Sequence, residues 1–144
     1  MVTIKYKLLD KSMPVPKYAH KGDAGLDLYS SIDYVLKPYE RKLIPTGIKV
    51  AIPSGYAGFI QPRSGLAIKH GIALVNSPGL IDSGYRGEIC IIIINLDSRE
   101  DFTIKKGDKI CQMVVKKIEE ADLVESEELD ISERAEGGFG STGI

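Results

Sequence analysis

Val2-Thr3-Ile4-Lys5-Tyr6-Lys7-Leu8 alternates apolar and polar residues at every step. That is the period-two pattern of a strand with one buried face. The same signature recurs along the chain. Further strands are expected at Leu26–Tyr29, Tyr34–Leu36, Lys42–Ile44, Gly47–Ile52, Tyr56–Pro62, Ile72–Val75, Glu88–Leu96, Phe102–Ile104 and Lys109–Ile118. They are short, and turn-forming clusters separate them: Lys37-Pro38-Tyr39, Pro53-Ser54-Gly55, Ser77-Pro78-Gly79, Ser83-Gly84 and Lys106-Gly107-Asp108. Closely spaced short strands joined by such turns make an all-β sandwich, jelly roll or barrel. The exception is Ser64–Lys69, where a serine opens a Gly-Leu-Ala-Ile-Lys run closed by His70-Gly71, the pattern of one short capped helix.

From Glu119 to Glu136 the chain turns acidic and then ends in GGFGSTGI. Such a segment has too few large apolar residues to join a core, so it reads as an extended arm. The 144 residues make one domain, spanning 1–144, with a core over about 1–118 and the arm over about 119–144. Hydrophobic residues at 43% and charged residues at 27% are those of a globular protein, and a net charge of −1 gives no general footprint for nucleic acid. The longest apolar run, Ile89 to Ile94, is far too short to cross a bilayer, and MVTIKYKLLD lacks a signal-peptide core. A soluble intracellular protein with neither a membrane nor a nucleic-acid partner is expected, in the cytoplasm or, in a eukaryotic or viral setting, the nucleus. Cys90 and Cys111 sit in apolar stretches without a CxxC or neighbouring histidine, so both are expected as reduced core thiols. With His20 and His70 as the only histidines, zinc sites and Ser-His-Asp triads lack material, which favours an oxygen-liganded metal.

Five segments carry chemistry. In Gly22-Asp-Ala-Gly25-Leu-Asp27-Leu, Asp27 stands between Leu26 and Leu28 and points to the opposite face, where it either orients a magnesium-bound water or completes an ion pair. Pro62-Arg63-Ser64-Gly65 sets a guanidinium and a hydroxyl at the expected helix start, a place for phosphate or simply an ordinary cap. Asn76-Ser-Pro-Gly79-Leu80-Ile81-Asp82-Ser-Gly-Tyr85-Arg-Gly87 reads as a hairpin that either wraps a planar ligand, with backbone and Asn76 on a base edge, Tyr85 on a sugar and Asp82 at the reactive end, or is an ordinary pair of turns with Asp82 and Ser83 as turn-formers and Tyr85 as a rim aromatic. Gln112, on a late strand, offers an amide to phosphate. In the arm, either Arg134, Ser141 and Thr142 are donors for phosphate oxygens, with glycines that admit close backbone approach and an isolated Phe139 suited to stacking, or the segment is simply a disordered terminus, which composition alone favours.

Taken together and in this order, AGLDLYS, PRSGLAIKHGI, NSPGLIDSGYRG, GDKICQ and RAEGGFGSTG closely resemble the five motifs of the trimeric deoxyuridine triphosphate nucleotidohydrolases, the dUTPases. The resemblance covers nearly the whole chain. It implies a distorted jelly-roll, β-clip-like subunit and a homotrimer whose active sites are each shared by three chains. It implies hydrolysis of dUTP to dUMP and pyrophosphate, with Mg2+ on the triphosphate and water attacking the α-phosphorus. This chemistry keeps uracil out of DNA and supplies dUMP for thymidylate synthesis. By the same resemblance Asp82 activates the water, and Asp27 meets the metal through water. Arg63, Ser64, Gly65, Gln112, Arg134, Ser141 and Thr142 bind phosphates. Asn76 with the Gly79-Leu80-Ile81 backbone reads uracil, Tyr85 lies beneath deoxyribose, and Phe139 closes over the base.

Three positions depart from the family pattern: Ala135 where glycine is more usual, Lys109 where arginine is common, and Cys111 where alanine is common. Ala135 is expected to stiffen the arm by disfavouring positive φ, and Lys109 keeps the charge without bidentate geometry. Cys90 falls where some members line the pocket, but it is read here mainly as core. Two other functions fit the scaffold: a deoxycytidine triphosphate deaminase, which needs a glutamate and a water at the base, and a catalytically silent nucleotide-sensing trimer. The GLIDSGYRG hairpin argues against the first and the retained Asp82 against the second.

Overall fold

The protein is described here from a computed structural model covering residues 2–138. Two four-stranded antiparallel sheets and a two-stranded ribbon account for its regular structure, with one short helix between them. The first sheet runs in the order β1 (Lys5–Leu8), β4 (Arg41–Ala51), β8 (Glu88–Asn95), β6 (Ile72–Leu74). The second runs β2 (Gly25–Tyr29), β10 (Lys109–Lys117), β5 (Tyr56–Gln61), β7 (Gly79–Ile81), and β3 (Tyr34–Leu36) pairs with β9 (Phe102–Ile104). The inward residues of all three meet in one continuous core that includes Leu28, Leu36, Ile44, Ile60, Ile91, Ile104 and Met113. No helix among the described residues is long and apolar enough to cross a membrane.

β8 shows how the alternation works. Ile89, Ile91, Ile93 and Asn95 are buried, whereas Glu88, Cys90, Ile92 and Ile94 face outward and are half-buried. Each buried isoleucine contributes about 1.5–3 kcal/mol of apolar burial. Asn95 is fully buried without being orphaned, because its amide donates to Leu36 O (3.2 Å) and Glu100 O (2.8 Å) while its Oδ1 accepts from Asp97 N (2.9 Å). It thereby ties the end of β8 to β3 and to the following loop.

The first strand is confined to Lys5–Leu8 and Gly79–Ile81 forms a strand of its own, and two further local features differ from the sequence expectation. Lys42–Ile44 and Gly47–Ile52 are not separate strands: β4 runs through Pro45-Thr46-Gly47 with a register shift against β8. The interruption is absorbed because Gly47 takes φ 71°, its N–H donates to Glu88 Oε1 at 2.8 Å, and Thr46 Oγ1 donates to Ile89 O at 2.6 Å. In the helix α1 (Ser64–His70), Arg63 rather than Ser64 occupies the N-cap, with extended backbone and no side-chain cap bond. Ser64 is therefore the first helical residue; none of the helix is fully buried, and Leu66 packs its half-buried side chain against the core.

After β10 the Ile118 amide donates to Gly55 O at 2.9 Å. The described part of the arm beyond it has no strand or helix. Leu123, Val124, Leu129 and Ile131 are almost wholly exposed.

Candidate active site

The hairpin that follows β6 builds a cavity of about 370 Å³. β7 is hydrogen-bonded to β5 in the register Gly58↔Ile81, Phe59↔Leu80, Ile60↔Gly79, which fixes the hairpin against the second sheet. Asn76, Gly79, Leu80, Ile81, Asp82 and Tyr85 line one side, and Leu43 with the outward residues Glu88, Cys90 and Ile92 of β8 lines the other. Asp82 is exposed at the end of β7, and its carbonyl accepts the Tyr85 amide at 3.1 Å, closing the turn. The Tyr85 hydroxyl donates to Glu88 O at 2.8 Å. That bond fixes the ring over Gly87, where a Cβ would lie only 2.3 Å from the phenolic oxygen.

Cys90 belongs to this wall and not to the core, contrary to the expectation for it. Alternation along β8 is the reason, because Ile89 and Ile91 take the inward positions on either side. Partial burial pushes its thiol pKa up, and the neighbouring Glu88 carboxylate adds to the shift. Cys111 is the core thiol that was expected, with burial raising its pKa to about 12.

A second, polar cleft of about 700 Å³ gathers Asp27, Arg63, Ser64, Gly65, Lys109 and Gln112. Gln112 pairs across β10 with Asp27 on β2 and with Gln61 on β5, so three strands converge here. Its Nε2 donates to Pro62 O at 3.1 Å, which anchors the turn carrying Arg63 and Ser64. Asp27 realises the ion-pair alternative. Lys109 Nζ lies 2.7 Å from Oδ2 and Arg63 Nε 3.5 Å from Oδ1, while Arg63 Nη1 donates to Lys109 O at 3.1 Å.

Lys109 is the cleft residue that strand alternation would have missed. Three positions before Gln112, it belongs on the opposite face of a regular strand, yet both side chains line the cleft. The register shift between Lys109 and Cys111 supplies the extra residue that turns it back.

Residues from the two motif groups thus assemble separately. No residue lines both the hairpin cavity and the polar cleft. Ile60 faces the cavity and its neighbour Gln61 the cleft, so β5 divides them. Arg134 lines neither: it is exposed on the arm, with Nε donating to Gly137 O at 2.8 Å. Phe139, Ser141 and Thr142 lie outside the described residues.

The dUTPase family model matches residues 11–143. The chain belongs to the dUTPase family. It is 58% identical over 137 residues to the deoxyuridine 5'-triphosphate nucleotidohydrolase of Clostridium kluyveri, covering 95% of each chain. To the enzyme of that name from Streptomyces griseus it is 51% identical over 142 residues, covering 99% of this chain and 81% of the relative. Its fold is similar to that of a mutant dUTPase of Staphylococcus bacteriophage 80alpha solved with dUpNHpp, with a TM-score of 0.89, 33% identity and full coverage of both chains. It is also similar to a mutant dUTPase from phage phi11 of S. aureus, solved with a structural Mg(II) ion, with a TM-score of 0.83 and 30% identity over 90% of this chain and 100% of that one.

Against the dUTPase pattern, Ala135 behaves differently from the expectation drawn from its side chain. It takes φ 44°, so the arm adopts the left-handed turn despite the Cβ. The Ala135 amide, donating to Ser132 O at 3.1 Å, and the Gly137 amide, donating to Arg134 O at 2.9 Å, hold that turn.

Proposed function

We propose that this chain hydrolyses dUTP to dUMP and pyrophosphate, with Asp82 as the general base that takes a proton from the attacking water. The observation that carries this reading is the carboxylate of Asp82 at the rim of a nucleoside-sized cavity lined by β7, the edge strand of its sheet. Main-chain groups of Gly79-Leu80-Ile81 and the Asn76 amide recognise uracil through fixed donor and acceptor positions. The tight hairpin leaves no room for thymine's methyl, and the Tyr85 ring excludes a ribose 2′-hydroxyl by contact.

Arg63, Ser64, Gly65 and Gln112 bind the phosphates. The fit of Mg2+ to the cleft rests on its donor chemistry. Asp27 and Asp23 are the carboxylates lining the cleft, and no group of three His, Cys, Asp or Glu among the described residues forms a self-sufficient metal cage. That suits an ion held mainly by phosphate oxygens and water, with Asp27 reached through water. When bound, the ion neutralises charge on the triphosphate. The protein's own part is to orient the phosphates and hold the base in register with the water.

The chain assembles as a homotrimer, a reading supported by the separation of cavity and cleft across β5. Cavity and cleft share no lining residue within one chain, and in this reading the cavity of one subunit meets the cleft of another. In the same reading the single domain has a core over about 1–118 and an arm over about 119–144 that closes on a neighbouring subunit's site. There Arg134, Ser141 and Thr142 reach the terminal phosphates and Phe139 covers the base. The almost wholly exposed Leu123, Val124, Leu129 and Ile131 support this, since apolar residues so displayed need a partner surface.

The test is a Mg2+-dependent turnover assay on dUTP, dCTP, dTTP and UTP separately, with products identified by chromatography. Selective conversion of dUTP to dUMP is expected. Deamination of dCTP, or tight dUTP binding without turnover, would replace this reading.

A further inference from the structure

The Asp27–Arg63–Lys109 cluster contains an asymmetry that the phosphate-binding assignments leave unused. Asp27 is largely buried, with a side-chain exposure of 14%, and its two oxygens are taken by different cations. Lys109 Nζ holds Oδ2 at 2.7 Å, whereas Arg63 Nε stands 3.5 Å from Oδ1. Lys109 is thus the closer counter-ion. Its carbonyl meanwhile receives Arg63 Nη1 at 3.1 Å, so the same residue orients the guanidinium from its backbone side. The β10 bulge is what aims Lys109 into the cleft.

We propose that Lys109 is a positioning residue: its ammonium holds Asp27 until a divalent cation arriving with the triphosphate draws on that carboxylate through water, and it thereby keeps the Arg63 guanidinium for phosphate. The inference rests on the functional reading above. Without the ammonium, Arg63 is the nearest cation to Asp27, and Coulomb attraction draws the guanidinium inward, away from an incoming phosphate. A divalent cation at Asp27 relieves that pull. Removing the lysine charge should therefore weaken nucleotide binding without metal much more than binding with it. A simple phosphate ligand would instead weaken both alike.

The experiment is calorimetric titration of dUpNHpp into wild-type protein, Lys109→Met and Lys109→Arg, in EDTA and again in saturating Mg2+, with thermal melts as a folding check. Lys109→Met should bind about three- to tenfold more weakly in EDTA and within about twofold of wild type in Mg2+. Lys109→Arg should restore the wild-type ratio of the two affinities. In an Asp27→Asn background, adding Lys109→Met should leave that ratio unchanged. Lys109→Gln replaces the methionine variant if the latter does not fold. Equal losses with and without Mg2+, or no loss in either, overturn the proposal while leaving the dUTP reading intact. Failure of the wild-type protein to bind dUpNHpp overturns the functional reading and this inference with it.

Discussion

Replacing Gly87 by alanine tests whether the Tyr85 ring is a built wall of the nucleoside cavity. The added Cβ would lie 2.3 Å from the phenolic oxygen, 2.5 Å from Cζ and 2.9 Å from Cε2. Ordinary contact begins near 3.4 Å, so the far end of the ring has to retreat by about 1 Å. Gly87 is not among the residues at positive φ, so alanine meets no backbone penalty and the effect is steric. The hydroxyl's 2.8 Å bond to Glu88 O is lost in that movement. A half-exposed bond of this kind contributes about 0.5–1.5 kcal/mol, so the melting temperature should fall by only a few degrees. The kinetic effect should be larger, because a displacement of about 1 Å in a positioning group costs up to roughly 10²-fold. Steady-state kinetics on dUTP and UTP should show kcat/KM for dUTP reduced about tenfold or more, and preference over UTP reduced by a similar factor. In a Tyr85→Ala background the clash is gone, and Gly87→Ala should have no further effect. Unchanged kcat/KM and unchanged dUTP-to-UTP preference in the single variant would refute the assignment of Tyr85 as the sugar wall.

Asp82→Asn should retain dUpNHpp binding while turnover falls by roughly 10²-fold or more; near-wild-type turnover would place the base elsewhere. Truncation after Ile131 should leave a cooperatively folded core, by thermal melting, and remove most activity, whereas full activity would exclude the arm as a lid. The buried Cys111 thiol has its pKa raised from 9.0 to about 12, so the folded state keeps a proton that the unfolded chain loses. Stability is therefore undiminished by this group below about pH 9 and falls above it, by up to about 1.4 kcal/mol per pH unit. Urea titrations from pH 8.5 to 10.5 should give Cys111→Ala a shallower decline than wild type, and parallel declines would contradict this.

How legible the molecule was in its sequence differs from segment to segment. Strand alternation is a local property, so Glu88–Leu96 and Lys109–Ile118 announce their strands directly, as Glu88–Asn95 and Lys109–Lys117 bear out. The motif series from AGLDLYS to RAEGGFGSTG is likewise a property of the linear chain, which is why the dUTPase family is legible in the sequence alone. Tertiary structure decided what depends on pairing. The break at Pro45 became a bulge because Thr46 and Glu88 satisfy the ladder from two different strands. Cys90 left the core for the cavity wall because its isoleucine neighbours took the inward positions. Lys109 reached Asp27 through a one-residue shift in register that no periodicity in its own strand reveals. Residue types and their order thus fix the chemistry available to this chain. Which of those groups meet is set by hydrogen-bond register between strands distant in sequence, because a single inserted residue exchanges the two faces of a sheet.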